Sequence, residues 1–102
     1  MARILAIYKT PADKAAFDTY YFGTHVPLAK TIPGLTRYEV NASPVMTPQG
    51  PSSTYLIATL HFNSMADIAQ GMASPAGKAT AADVPKFAQA GVEIVFFDDK
   101  VV

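Results

Sequence analysis

The segment RILAIYK, residues 3–9, limits what this chain can fold into. It is rich in β-branched and aromatic residues and stops at Thr10-Pro11, the signature of a strand. Successive side chains of a strand point to opposite faces. One face here is Arg3, Leu5 and Ile7, and the other is Ile4, Ala6 and Tyr8. Both are largely apolar, whereas a sheet with one wet face alternates apolar with polar. A fold built on this strand must cover its sheet on both sides.

Three more segments predict strands: LTRYEV (35–40), TYLIATLHF (54–62) and VEIVFF (92–97). Between the first two strands, Asp13 is placed to cap a helix running to Phe22, with Phe17, Tyr20 and Tyr21 at one-face spacing and Gly23 as its stop. A short second helix is expected from about His25 to Thr31, with Pro27 in a first turn whose amides have no intrahelical partner. Residues 42–54 hold three prolines and a glycine, which predicts a loop. Ser64 is placed to cap a helix over 65–73, and Ser74-Pro75 to open another. Asp83 is placed to cap a last short one, VPKFAQ.

The order is β-α-β-β-α-β, the ferredoxin-like split unit. This is an α+β fold with a four-stranded antiparallel sheet and its helices on one face. The other apolar face then needs a cover, and a second copy laid face to face supplies one, giving a dimeric α+β barrel of two protomers. Half of the residues are apolar and only 16% are charged, which agrees with a surface covered by a second copy or a ligand. The 102 residues suit one domain, residues 1–102.

Charge and composition exclude several function classes. Eight Lys and Arg balance eight Asp and Glu, so no basic surface is available for nucleic acid. With no cysteine there is no thiolate nucleophile or Cys metal site. The two histidines are 36 positions apart without HxH or HExxH spacing, so no metal is expected. No apolar run approaches the ~20 residues that span a bilayer, and the first residues are too short and too soon charged for a signal peptide. A cytoplasmic location without membrane contact is the expectation. GMASPAGKAT resembles a phosphate loop, but the Gly71–Gly77 gap is one residue too long and Ala79 follows Lys78 where Ser or Thr is needed. No cofactor is expected.

The candidate catalytic residue is His25. The two halves of the chain echo one another: Val26-Pro27 and Val84-Pro85 each open a helical piece that feeds a strand. The residue in front is Asp83 in one half and His25 in the other. Aspartate is a good cap and histidine a poor one, so capping does not account for His25. At a helix N-terminus the macrodipole favours the neutral ring, which can serve as general base or donate to a carbonyl. The competing reading is a histidine that bonds a backbone carbonyl across the helix break. Candidate ligand contacts are Tyr8, Phe17, Tyr20, Tyr21, Tyr38 and His61. The tyrosines combine apolar bodies with polar tips, as a pocket for a small apolar or aromatic ligand requires. Counting by twos, His61 shares a face with Tyr55, Ile57 and Thr59, opposite the purely apolar face. Glu39 and Asp83 are the carboxylates within recruiting distance if the fold brings them close.

Four motifs carry a family resemblance: Y-K-x-P at Tyr8–Pro11, Y-x-x-x-H-x-P-L at Tyr21–Leu28, P-G-L-x-x-Y at Pro33–Tyr38, and A-S-P-A-G-K-A-x-A-A-D at Ala73–Asp83. Over nearly its whole length the chain resembles the EthD family, small dimeric α+β-barrel proteins named for ethyl tert-butyl ether degradation. The resemblance implies a homodimer, an association with oxidative catabolism, and a recurring family histidine at His25. Relatives on the same barrel include cofactor-free monooxygenases, isomerases, cyclases and haem enzymes, and no haem-ligand signature is present here. Two functions follow as expectations. One is a cofactor-independent oxidoreductase, isomerase or cyclase acting on a small cyclic or aromatic compound, with His25 as proton shuttle. The other is a non-catalytic accessory protein that binds or delivers a hydrophobic intermediate.

Overall fold

In the computed structural model, which describes residues 1–102, the alternation of the first strand sorts into two environments. Strand β1 (Ala2–Lys9) buries Ala2, Ile4, Ala6 and Tyr8 and leaves Arg3, Leu5 and Ile7 half-buried on the other side. It lies between two neighbours in the sheet. The elements run β1, α1 (Lys14–Tyr20), a single π-helical turn (Tyr21–His25), α2 (Val26–Ala29), β2 (Arg37–Val40), β3 (Met46–Thr47), β4 (Gly50–Pro51), β5 (Thr54–Phe62), α3 (Met65–Ala73), α4 (Pro75–Asp83), a 3-10 turn (Val84–Lys86) and β6 (Val92–Asp98). The main sheet is antiparallel in the order β2-β5-β1-β6, the ferredoxin-like arrangement. No helix is long and apolar enough to cross a membrane.

Register sets the two faces. Ile4 pairs with Leu60 and Phe96, and Ala6 with Ala58 and Ile94, on the side that carries the helices. Leu5 pairs with Thr59 and Val95, and Ile7 with Ile57 and Glu93, on the side that carries none. Over the helix side, Tyr8, Phe17, Tyr21 and Phe87 form a four-ring cluster whose six centroid separations all fall between 5.5 and 5.7 Å. Each such pair contributes about 0.5–1.5 kcal/mol beyond its buried area. The cluster pins α1 and the 3-10 turn onto the first strand.

The caps fall where the residue types place them. Asp13 accepts from the Ala16 amide at 3.0 Å, and Ser64 from the Asp67 amide at 3.1 Å. Ser74 serves two helices, donating to the Gly71 carbonyl at the end of α3 and accepting from the Gly77 amide at the start of α4. Three expectations are corrected. The helix does not stop at Gly23: residues 14–29 form one continuous helical path through the π turn. The 42–54 segment is not wholly loop, because β3 and β4 pair as a small hairpin. Asp83 caps nothing: it ends α4, makes no side-chain bond to the backbone beyond it, and VPK forms only a 3-10 turn.

The helix α3–α4 corner is closed by glycine. A Cβ on Gly77 would run into the Gly71 carbonyl oxygen and come within 2.5 Å of the Met72 Cα, all backbone that cannot swing aside. Gly23, in the π turn, has nothing within 4 Å of a Cβ. Gly77→Ala should therefore cost about 1–3 kcal/mol, a loss of at least about 4 °C in Tm. Gly23→Ala should be neutral or stabilising by up to about 1 kcal/mol. Thermal melts of the two variants side by side check both signs.

Candidate functional site

Phe17, Tyr21, His25 and Ala29 are all buried, at strict intervals of four. An α-helix turns about 100° per residue, so steps of four drift by about 40° each and would carry such a row off the core. The π turn removes most of the drift. Its i→i+5 bond runs from the Val26 amide to the Tyr21 carbonyl and takes more residues per revolution. Pro27, which has no amide hydrogen, follows directly. The proline and the wide turn thus belong together, and their product is a buried His25 on the same face as Tyr21.

His25 is 4% exposed and Asp83 5%. The His25 Nδ1 lies 2.9 Å from Asp83 Oδ2, and the Tyr20 hydroxyl donates to Asp83 Oδ1 at 2.6 Å. Lys86 Nζ stands 4.0 Å from Oδ1 on the exposed side. An ionised carboxylate only accepts, so the hydrogen shared with His25 sits on Nδ1, and Nε2 keeps its lone pair. Burial lowers the His25 pKa below its ordinary value, against the opposing pull of Asp83. Burial works to raise the Asp83 carboxyl, but the bonds from Tyr20 and His25 and the charges nearby outweigh it and hold the group below its ordinary value. The pair at neutral pH is a carboxylate beside a neutral imidazole. The sequence reading expected a neutral ring from a helix N-terminus. His25 instead lies within helical backbone (φ −70°, ψ −46°), and burial is the cause.

His25 borders a cavity of about 70 Å³ between the helices and the sheet. Tyr8, Tyr21 and Tyr38 line it too, within walls of aliphatic side chains such as Ile4, Leu60 and Met72. The Tyr21 and Tyr38 hydroxyls bond each other at 2.6 Å. Neither the Tyr8 hydroxyl nor His25 Nε2 has a partner in the chain, and no fully buried side-chain N or O is left unpaired. Both free atoms therefore keep some accessible surface, and both residues line the cavity. Burial raises the pKa of all three tyrosines, so they are phenols. Two wider surface hollows, of about 410 and 460 Å³, contain neither histidine.

Of the seven residues singled out by sequence, four meet at this cavity: His25, Tyr8, Tyr21 and Tyr38. Phe17 is core, stacked on Tyr21 at 5.6 Å. Tyr20 points away from the cavity to hold Asp83. His61 lies across the sheet, where its Nε2 meets Glu39 Oε1 at 2.7 Å and Glu39 in turn meets Arg37. Sequence reasoning gave Asp83 the task of a cap and, with Glu39, left it as a carboxylate the fold could recruit; the structure recruits it as the partner of His25. The two residues precede the two Val-Pro pairs of the internal echo, and the fold brings those equivalent positions together. No group of three or more His, Asp or Glu side chains is placed to hold a metal ion.

Acidification should cost stability in two stages. His25 has a lower pKa folded than its ordinary 6.5, so its contribution is complete above that value and is lost as pH falls through the folded pKa. Asp83 follows the same sign lower down, below its ordinary 3.8. Urea midpoints between about pH 8 and about pH 5 should fall for the native chain and fall less for His25→Asn. Nitrogen-15 NMR at neutral pH should find the His25 hydrogen on Nδ1.

The profile of the EthD domain matches residues 9–91. The chain is 41% identical, over all of its length and 98% of the relative's, to an uncharacterized 11.0 kDa protein from the thcB–thcC intergenic region of Rhodococcus erythropolis. It superposes on the crystal structure of an EthD family protein from Bacillus halodurans with TM-score 0.90 and 34% identity, covering 98% of this chain and 99% of that one. It shares its fold alone with SnoaB, a cofactor-independent oxygenase from Streptomyces nogalater, at TM-score 0.68 and 12% identity, covering 99% and 94% of the two chains. The cavity and its histidine are thus features of a chain that belongs to the EthD family.

Proposed function

We propose that the chain, acting as one unit over residues 1–102 and as a homodimer, catalyses cofactor-independent proton transfer on a small compound bound in the cavity. The observation that carries this reading is the free Nε2 of a buried, neutral His25 whose Nδ1 is held by Asp83. A base so placed keeps one tautomer and one orientation. The ligand would present a C–H next to a carbonyl. The proton passes to Nε2, the C–H electron pair moves into the carbonyl, and the oxygen gains the negative charge. The imidazolium is then steadied by Asp83, and the oxyanion by hydrogen bonds from Tyr8 and the Tyr21–Tyr38 pair. In a ligand with a double bond next to the deprotonated carbon, return of the proton to its far end completes an isomerisation; attack by the carbanion on a second carbonyl, with the imidazolium proton passing to the new alkoxide, completes a cyclisation. The fold shared with a cofactor-independent oxygenase is in keeping with carbanion chemistry that needs no bound group.

The dimer rests on the bare face of the sheet. Leu5, Ile7 and Ile57 are half-buried there, and Val95 and Phe97 are 38% and 39% exposed. An apolar face of this extent on a chain with few charges is best covered by its own copy. A neighbour of the same fold from Bacteroides fragilis is described as dimeric. Native mass spectrometry should return two copies of the 10.9 kDa chain, and a persistent monomer at micromolar concentration would remove this part of the proposal.

The chemistry is tested in heavy water. Small carbonyl compounds are incubated with the protein, and exchange of their α-protons is followed by NMR. Exchange should be accelerated by the native chain and fall by about 10²–10⁴-fold in His25→Ala, with an intermediate loss in Asp83→Asn. Binding without any exchange, equal in the native and variant chains, would instead establish the delivery role.

A further inference from the structure

The cavity wall contains no Lys, Arg, Asp or Glu. Its polar atoms can be counted one by one. The Thr80 hydroxyl is spent on the Ala76 carbonyl at 2.8 Å. The Tyr21–Tyr38 pair spends one of its two hydrogens on itself and keeps one. Tyr8 keeps its own. His25 Nε2 offers a lone pair. The site therefore presents two free hydrogens and, beside the weaker lone pairs of its hydroxyl oxygens, one strong acceptor in the imidazole nitrogen, which matches a ligand with one oxygen that accepts and one hydrogen to give.

Charge narrows the class further. The site already holds one negative charge, on Asp83 behind the imidazole. Moving a proton from an uncharged ligand to His25 leaves that total unchanged, because the imidazolium and the ligand anion cancel. A ligand that arrives as an anion doubles it, in a low-dielectric space with no cation on the wall. Lys86, 4.0 Å from the Asp83 oxygen that does not meet His25, is not among the wall residues. The tyrosines report the same resistance, since burial holds all three phenols against ionisation.

Size sets the third limit. One water needs about 10–15 Å³ on this measure, so about 70 Å³ admits about five to seven non-hydrogen atoms. Among the wall residues, Ala81 of α4 and Ile94 of β6 are exposed, so the mouth lies between them. We infer, building on the role of His25 proposed above, that this cavity takes an uncharged oxygenated ring of about seven non-hydrogen atoms, a ring ketone or a phenol, and rejects its carboxylated counterparts.

Four probes test it: cyclohexanone and phenol, and the ring anions cyclobutanecarboxylate and cyclopropanecarboxylate, which are no larger. Each is titrated at neutral pH into the native protein, and amide and His25 ring shifts are followed by NMR. The two uncharged probes should bind at least about tenfold more tightly than the two anions. Ala81→Trp, at an exposed position, should block them while leaving Tm unchanged, and Tyr38→Phe should weaken the uncharged pair selectively. Equal or tighter binding of either carboxylate overturns the inference, and so does failure of all four to saturate. The two readings fail separately. Selective binding of the uncharged probes without α-proton exchange in cyclohexanone removes the proton-transfer role and keeps the ligand class. Exchange in cyclohexanone together with a carboxylate that binds as tightly keeps the role and removes the class.

Discussion

A buried carboxylate is the constraint around which the helical half of this molecule is arranged. Removing an ionised group from water costs several kcal/mol unless its oxygens are bonded, and Asp83 meets that condition with one short bond to each oxygen. The donors come from α1 and from the π turn, while the carboxylate ends α4. Two stretches of chain distant in sequence, the α1–π-turn path and the end of α4, are thereby fixed to one point. The same arrangement decides the state of His25, because a carboxylate that accepts from Nδ1–H leaves the other nitrogen of this cavity-lining ring unprotonated and without a partner in the chain. Structure and chemistry here depend on one set of bonds.

The apolar periodicities carry most of the fold. The strands, the Asp13 and Ser64 caps and the Ser74-Pro75 start all follow from local rules. Gly23 and Pro27 misled for a physical reason. Each is a sound local signal to end or begin a helix, but a wide turn accommodates both without a break, and its benefit is tertiary: it keeps His25 facing the sheet. The β3–β4 hairpin was hidden by its prolines, since an edge strand outside the main sheet has amides to spare.

The site was legible in its parts more than in its wiring. His25, Tyr8, Tyr21 and Tyr38 stood out as polar tips on apolar elements, and they share one cavity. Asp83 stood out as well, but for the wrong task. Aspartate before Val-Pro is a fair capping position, and only the tertiary arrangement shows that its oxygens are already engaged by Tyr20 and His25. Tyr20 and Tyr21 are adjacent in sequence and so point to different places: one secures the carboxylate, the other lines the cavity. His61 went to the opposite face because strand parity leaves it no choice.

The π turn has an evolutionary side. It amounts to one residue more than an α-helix of the same length needs. Loss of a single codon between Tyr21 and His25 would restore ordinary winding, and the helical residues from His25 through α2 would rotate by about a quarter of a revolution or more relative to α1. The imidazole would leave its aspartate without any change to the aspartate, the tyrosines or the sheet. A lineage could thus discard or regain the dyad by one insertion or deletion, with the scaffold kept intact. Alignments that treat such a gap as neutral would overlook the event.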